Sequence, residues 1–159
     1  GGALTSDAYH MTAPEPEGLG AEKVMRMAIE DANITPNNID YINTHGTSTP
    51  LGDIAEVKAI KAVFGEHVYS MNLSSTKSMT GHMIGGTGAV EALASIMALK
   101  DGIIPPTINH ADDDVDEEID SRINFTFNEP QKRKIRYALS NTFGFGGHNA
   151  TLIFKKWEE

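Results

Sequence analysis

From Ala21 onward the apolar residues recur at helical spacing. Val24, Met25, Ala28, Ile29 and Ala32 form one stripe, and Glu22, Lys23, Arg26 and Glu30 form the opposite face. This predicts an amphipathic helix packed on one side. Thr35-Pro36-Asn37-Asn38 reads as a turn and Ile39 to Asn43 as a short strand. Ile54, Val57, Ile60 and Val63 define a second helix. Asp53 is expected at its N-cap, Glu56 three residues on completes a capping-box arrangement, and Gly65 supplies the stop. Val68 to Leu73 predicts another strand. The stretch from Met83 to Leu99 differs, because Glu91 is its only charged side chain and Ile84, Val90, Leu93, Ile96 and Met97 are spread around it. That pattern predicts a helix buried almost all round, with a carboxylate inside the protein.

The helical period then gives way. Ile123, Phe125 and Phe127 alternate, as do Ile135, Tyr137 and Leu139, and Ala150 to Phe154 is apolar throughout, so three strands are expected. A glycine-rich connection, Thr142 to His148, joins the last two. Residues 5–17 are polar, contain Pro14 and Pro16, and read as a loop. Strand–helix alternation followed by hairpins predicts one α/β domain over residues 1–159, a three-layer unit with a mixed β-sheet and helices packed on it. There is no internal repeat or low-complexity segment.

Composition narrows the function. The net charge of −9 argues against non-specific nucleic-acid binding. The acidic run Asp112-Asp113-Asp114-Val115-Asp116-Glu117-Glu118 is expected to be a solvated loop, and Lys132-Arg133-Lys134 with Arg136 a solvated basic turn. No apolar run approaches a membrane span, and Gly1-Gly2-Ala3-Leu4 does not open a signal peptide. The first residue is not Met, so the chain is expected to begin inside a longer one. The absence of cysteine removes disulfides, thiolate metal sites and cysteine nucleophiles from what these residues do alone.

The candidate chemistry lies in two segments, Asn43-Thr44-His45-Gly46-Thr47-Ser48-Thr49 and Ser74-Ser75-Thr76-Lys77-Ser78-Met79-Thr80-Gly81-His82. Each closes a predicted strand and carries a histidine beside glycine. A neutral imidazole donates one N–H to an oxygen that gains negative charge without bringing a full charge into the site, so His45 and His82 read as paired donors. Zinc fits the same histidines poorly, since neither HExxH nor a third ligand at usual spacing is present. A buried Glu91 needs a cation, and Lys77 is the natural one. The pair reads either as a structural clamp or as the support of His82. Gly85-Gly86-Thr87-Gly88 matches no phosphate-loop pattern, and close helix packing is the better reading. Glycines around Phe145 let backbone N–H groups approach a ligand, with the ring as a gate. The absence of GxSxG argues against a serine hydrolase.

In these segments, and in Ser6-Asp7-Ala8-Tyr9-His10-Met11-Thr12, Ser140-Asn141-Thr142-Phe143-Gly144-Phe145-Gly146-Gly147-His148-Asn149 and Leu152-Ile153-Phe154-Lys155-Lys156, the chain resembles the β-ketoacyl-[acyl-carrier-protein] synthases. The bacterial fatty-acid (type II) branch fits best. The resemblance implies the C-terminal half of a thiolase-like fold and a decarboxylating Claisen condensation between malonyl-carrier protein and an acyl-cysteine. It implies that His45 and His82 hold the thioester oxygen as an enolate forms, with Lys77 and Glu91 as the buried pair behind them. It places Thr47 and Thr49 on the phosphopantetheine arm. Phe143, Phe145 and Gly146 join the substrate-binding set, Phe145 as the gate whose N–H completes an oxyanion hole. Asn43, Glu91, Ser140 and Asn141 match a structural monovalent-cation site of some members.

The resemblance further implies no metal or redox cofactor, substrates carried on the phosphopantetheine of acyl carrier protein, a homodimer when full length, and a cytoplasmic enzyme without nucleic-acid or membrane partners. The family's nucleophilic cysteine belongs to its N-terminal half, so this chain is expected to act with that half and to be inactive in condensation alone. The alternatives are a cysteine-free partner of a synthase, like the chain-length factors, and a fragment of a polyketide ketosynthase.

Overall fold

The computed structural model describes residues 1–111, 113 and 116–157. Three residues of the acidic run, Asp112, Asp114 and Val115, lie outside these, as do the last two; Asp113, Asp116, Glu117 and Glu118 are exposed, as expected of a solvated loop.

The elements follow in the order β1 (Gly2–Ser6), α1 (Leu19–Asp31), β2 (Tyr41–Asn43), α2 (Pro50–Phe64), β3 (Asn72–Ser74), α3 (Lys77–Thr80), α4 (Thr87–Asp101), β4 (Ile103–Ile104), β5 (Gln131–Lys132), β6 (Tyr137–Gly144) and β7 (His148–Lys155). Five strands form one sheet in the order β1-β7-β6-β2-β3; β4 and β5 make a separate antiparallel pair. β2 runs parallel to both β3 and β6, while β7 is antiparallel to β6 and to β1. The expected three-layer α/β unit with a mixed sheet is what forms. No described helix is long and apolar enough to cross a membrane.

Alternation along the strands sorts side chains to two cores. Ile42, Leu73, Leu139 and Ile153 face Met25, Ala28, Ile29, Val57, Ile60 and Val63 of α1 and α2. Tyr41 and Ala138 face Ala98 and Leu99 of α4, with Ile104 and Ile135. Residues of β2 are buried without exception, as befits a parallel strand covered on both faces. Ile60, at 0% exposure in the first core, is expected to cost about 2–5 kcal/mol of stability when replaced by alanine, read from the shift of a denaturant midpoint.

Several elements depart from the pattern reading. Thr5 and Ser6 belong to β1 rather than a loop, because its register comes from pairing with β7 (Thr5 with Asn149, Ser6 with His148) and not from an apolar pattern of its own. Residues Gly65–Ser70 form a 3₁₀ turn, which leaves only Asn72–Ser74 extended. The alternating Ile123, Phe125 and Phe127 make no strand. Thr126 and Asn128 adopt φ of 51° and 59°, which breaks the extended run, and only isolated bridges to Asn72 and Thr107 remain. The basic turn is not simply solvated, since Lys132 pairs with Ile103 and Arg133 donates to Asn72 Oδ1 and to the Ser70 carbonyl at the edge of β3.

α2 starts at Pro50, so Asp53 sits inside the first turn and is not the N-cap. A proline at the first position is pre-organised for the helix and sets the earlier start. The α4 helix begins at Thr87 and is not buried all round. Leu93 is 58% exposed, and Ile96 and Met97 are exposed beside it, while Thr87, Glu91, Ser95, Ala98 and Leu99 face the sheet. The expected close packing of the Gly85–Gly88 stretch holds only at Gly88, which abuts Thr142 of β6; a Cβ on Gly85 would meet nothing and one on Gly86 only Met83.

Candidate active site

The parallel arrangement brings the carboxyl ends of β2, β3 and β6 to one edge of the sheet, the position where open α/β sheets place ligands. His45 follows β2, Lys77 follows β3, and Phe143 lies near the end of β6. Ser75 ties the two loops together by donating from Oγ to the Gly46 carbonyl at 2.6 Å. The result brings His45 and His82 together edge to face, ring centroids 5.6 Å apart at 86°.

The hydrogen bonds of each ring settle its tautomer. Phe143 N–H donates to His45 Nδ1 at 3.2 Å, and Ile84 N–H donates to His82 Nδ1, also at 3.2 Å. A backbone N–H can only donate, so both Nδ1 atoms carry a lone pair and both Nε2 atoms carry the proton. Burial, with the Lys77 charge behind it, pushes His45 down to about 3, so its imidazole is neutral through the neutral pH range.

Beneath the histidines, Lys77 Nζ donates to Glu91 Oε1 and Thr142 Oγ1 to Glu91 Oε2; the lysine and glutamate side chains are 5% and 1% exposed. Burial pushes the Glu91 carboxyl up, opposed by Lys77 and Thr142. The pair expected from the cost of burying Glu91 is formed, and it lies between the sheet and α4.

Glu56 has a place that the sequence reading gave only to a helix cap. Its two carboxylate oxygens accept the N–H groups of His45 and Gly46, each at 2.9 Å, and Asn141 Nδ2 at 3.1 Å. The signal was present, since Glu56 lies four residues before Ile60 and seven before Val63, on the buried stripe of α2. Burial pushes Glu56 up to about 7, against the backbone donors of Gly46 and His45. Its folded-state value thus exceeds that of the unfolded chain, so its contribution to stability is full below about 4.5 and is lost as pH rises through about 7, roughly 3 kcal/mol in all. Glu56→Gln is expected to remove that slope in thermal unfolding followed across this range. It also sets an NH2 group against the Gly46 N–H when the oxygen stays with His45 and Asn141, which loosens the loop at Gly46.

The remaining predicted residues divide. The hydroxyls of Thr47 and Thr49 bond each other at 3.1 Å. They line a cavity of about 860 Å³ with Lys77, His82, Ser75, Phe125 and Phe127. Asp53 opens onto the same cavity. Burial raises its carboxyl against the backbone N–H groups of Ser48, Thr49 and Thr47, and its buried Oδ1 has no hydrogen-bond partner. The ring against His45 is Phe143, at 5.5 Å, whereas Phe145 stands 76% exposed at the tip of the β6–β7 hairpin. Gly146 has its N–H committed to the Met11 carbonyl at 2.7 Å.

The cation quartet does not close through its side chains. Asn141 bonds Glu56, Thr151 and Met25 on the α1–α2 face, while Glu91 lies on the α4 face, because neighbouring residues of a strand point to opposite sides. Asn43 bonds Thr76. By the same alternation Asn43 and its strand partner Ser140 share the Glu91 face, so Asn141 is the member whose side chain lies apart.

Comparison with known proteins agrees with this architecture. The family described as beta-ketoacyl synthase, C-terminal domain, matches residues 1–111. The 3-oxoacyl-[acyl-carrier-protein] synthase 2 of Staphylococcus aureus (strain COL) is 51% identical over 158 residues, covering 99% of this chain and 37% of that protein. A type II polyketide ketosynthase in complex with its acyl-carrier protein superposes with a TM-score of 0.93 at 32% identity, over 99% of this chain and 38% of the other. A beta-ketoacyl synthase from Burkholderia phymatum STM815 does so with a TM-score of 0.89 at 37% identity, over 99% and 37%. The chain thus spans little more than a third of the length of the relatives it matches. With sheet order, strand ends and sequence in agreement, this chain belongs to the beta-ketoacyl synthase family, as its C-terminal domain.

Proposed function

We propose that residues 1–159 form one domain that supplies the enolate-stabilising half of a decarboxylating condensation, in a synthase that elongates fatty acids on acyl carrier protein. The observation that carries this reading is the matched Nε2–H tautomer of two adjacent imidazoles, one of them held neutral by burial. Two neutral donors aimed at one oxygen suit a reaction in which negative charge develops there and nowhere else.

The step balances without a redox partner. In a malonyl thioester the bond to the carboxylate breaks and carbon dioxide leaves. The electron pair passes to the α-carbon and thioester oxygen, which accepts the N–H bonds of His45 and His82. The α-carbon then attacks an acyl thioester held on a cysteine from outside this chain, forming a carbon–carbon bond and releasing the thiolate. Lys77 and Glu91 hold the His82 loop against α4, and Glu56 holds the His45 loop against α2. Thr47 and Thr49 present hydroxyls along the channel for a phosphopantetheine arm. Phe145 gates it from the hairpin tip. The full-length protein would work as a homodimer with acyl carrier protein as partner.

The test uses the protein at the full length of its relatives, given malonyl-carrier protein and an acyl-carrier protein. Carbon dioxide release with formation of a β-ketoacyl product is the expected result. Absence of release from a folded, cysteine-containing protein would overturn the proposal in favour of a non-catalytic partner.

A further inference from the structure

We infer that Thr87 is a positioning residue that, together with the Ile84 N–H, fixes which ring nitrogen of His82 carries the proton, an inference resting on the donor role proposed above. Thr87 Oγ1 lies 3.0 Å from His82 Nδ1, the same atom that Ile84 N–H reaches at 3.2 Å. Because the backbone N–H must donate, Nδ1 has only its lone pair to offer, and the threonine hydroxyl, free to rotate, donates as well. Two donors on Nδ1 leave the ring proton on Nε2.

Three further observations point the same way. Thr87 is 0% exposed although residues 81–86 before it are exposed, so its hydroxyl has no water to turn to and loses a buried hydrogen bond if the ring swings away. Thr87 is the first residue of the 15-residue α4, the end that carries partial positive charge, and its hydroxyl meets Nδ1, where nearby positive charge disfavours a proton. Ile84 is held at φ 52°, a conformation a β-branched residue rarely adopts, at the very place where its N–H meets the ring. The two histidines therefore reach one tautomer by independent routes, His45 through strand β6 and His82 through the start of α4. In the Gly85-Gly86-Thr87-Gly88 stretch, Gly85 and Gly86 pack against little, Gly88 abuts Thr142, and the one side chain bonds the ring.

The experiment is long-range ¹H–¹⁵N correlation on the histidine-labelled full-length protein, with His82→Gln to assign the ring, alongside carbon dioxide release from malonyl-carrier protein. Thr87→Val keeps the shape and removes the hydroxyl. It is expected to move the His82 nitrogen shifts toward an average of the two tautomers. With it, kcat should fall about tenfold while KM stays within about twofold. Thr87→Ser is expected to restore both readouts, and Thr87→Ala supplies the same spectroscopic comparison if the valine variant fails to fold. Unchanged His82 nitrogen shifts in the hydroxyl-free variants overturn the inference. Shifted nitrogens with undiminished carbon dioxide release uphold the role of Thr87 and instead remove His82 from the proposed chemistry.

Discussion

Replacing either His45 or His82 by alanine in the full-length protein is expected to cut carbon dioxide release from malonyl-carrier protein by roughly 10²–10³-fold, the usual loss when one donor of a preorganised oxyanion site is removed. The loss should fall on kcat, because the bond to the oxygen strengthens only as charge develops on it. The double variant should lose little more than either single one, since both donors serve one oxygen and act as a unit. Glutamine retains a side-chain N–H, so His82→Gln should keep more activity than His82→Ala. His45→Ala carries a second signature. Its imidazole is buried with a value near 3, below that of the unfolded chain, so the wild type loses stability as pH falls from about 6.5 towards 3. The variant should lose that part of its acid sensitivity, seen as a flatter dependence of the unfolding midpoint on pH. Release within a factor of a few of wild type in both single variants would remove the two histidines from the reaction.

The largest stability effect is expected at Lys77 and Glu91. Removing one member strands a charge between the sheet and α4, and Lys77→Met or Glu91→Ala should each cost about 3–5 kcal/mol, measured as the fall in unfolding free energy in urea. The combination Lys77→Met with Glu91→Leu should recover much of that cost, because an apolar pair of similar volume has no charge to desolvate. Activity is expected to separate from stability in the double variant. The fold returns, but the lysine no longer tethers the loop that carries His82, and decarboxylation stays low. A single-variant cost below about 1 kcal/mol would mean that the pair is solvated in the working protein.

These effects rest on residues that differ in how far the sequence alone revealed them. The stripe of Val24, Met25, Ala28 and Ile29 places α1 against the sheet as expected, because a helix exposes its period directly in the positions that must leave water. The lone charge of Glu91 in an apolar stretch marked it as buried, and the cost of an unpaired carboxylate pointed to Lys77. The two histidines were visible as strand-end loop residues, since parallel strands deliver their carboxyl ends to one edge. The motif near the hairpin was less informative, since Phe145 is exposed at the hairpin tip, the Gly146 N–H bonds the Met11 carbonyl, and Phe143 is the ring against His45.

What the sequence determined by itself was the α/β class, the helices and the loops that carry the chemistry, all of which follow from local periodicity and the cost of burying charge. Tertiary structure alone decided strand limits, tautomers and the partners of Glu56. β1 is a strand only because β7 lies beside it, and residues 123–127 fail to be one because Thr126 turns the backbone the other way. The proton on each imidazole was set by residues distant from it or across a turn, Phe143 for His45, and Ile84 and Thr87 for His82. Glu56 gave up the cap because Pro50 started α2 early, which left its carboxylate to hold the loop of His45. Hydrogen bonds between separate segments depend on where the sheet brings them, and no period along the chain encodes that meeting.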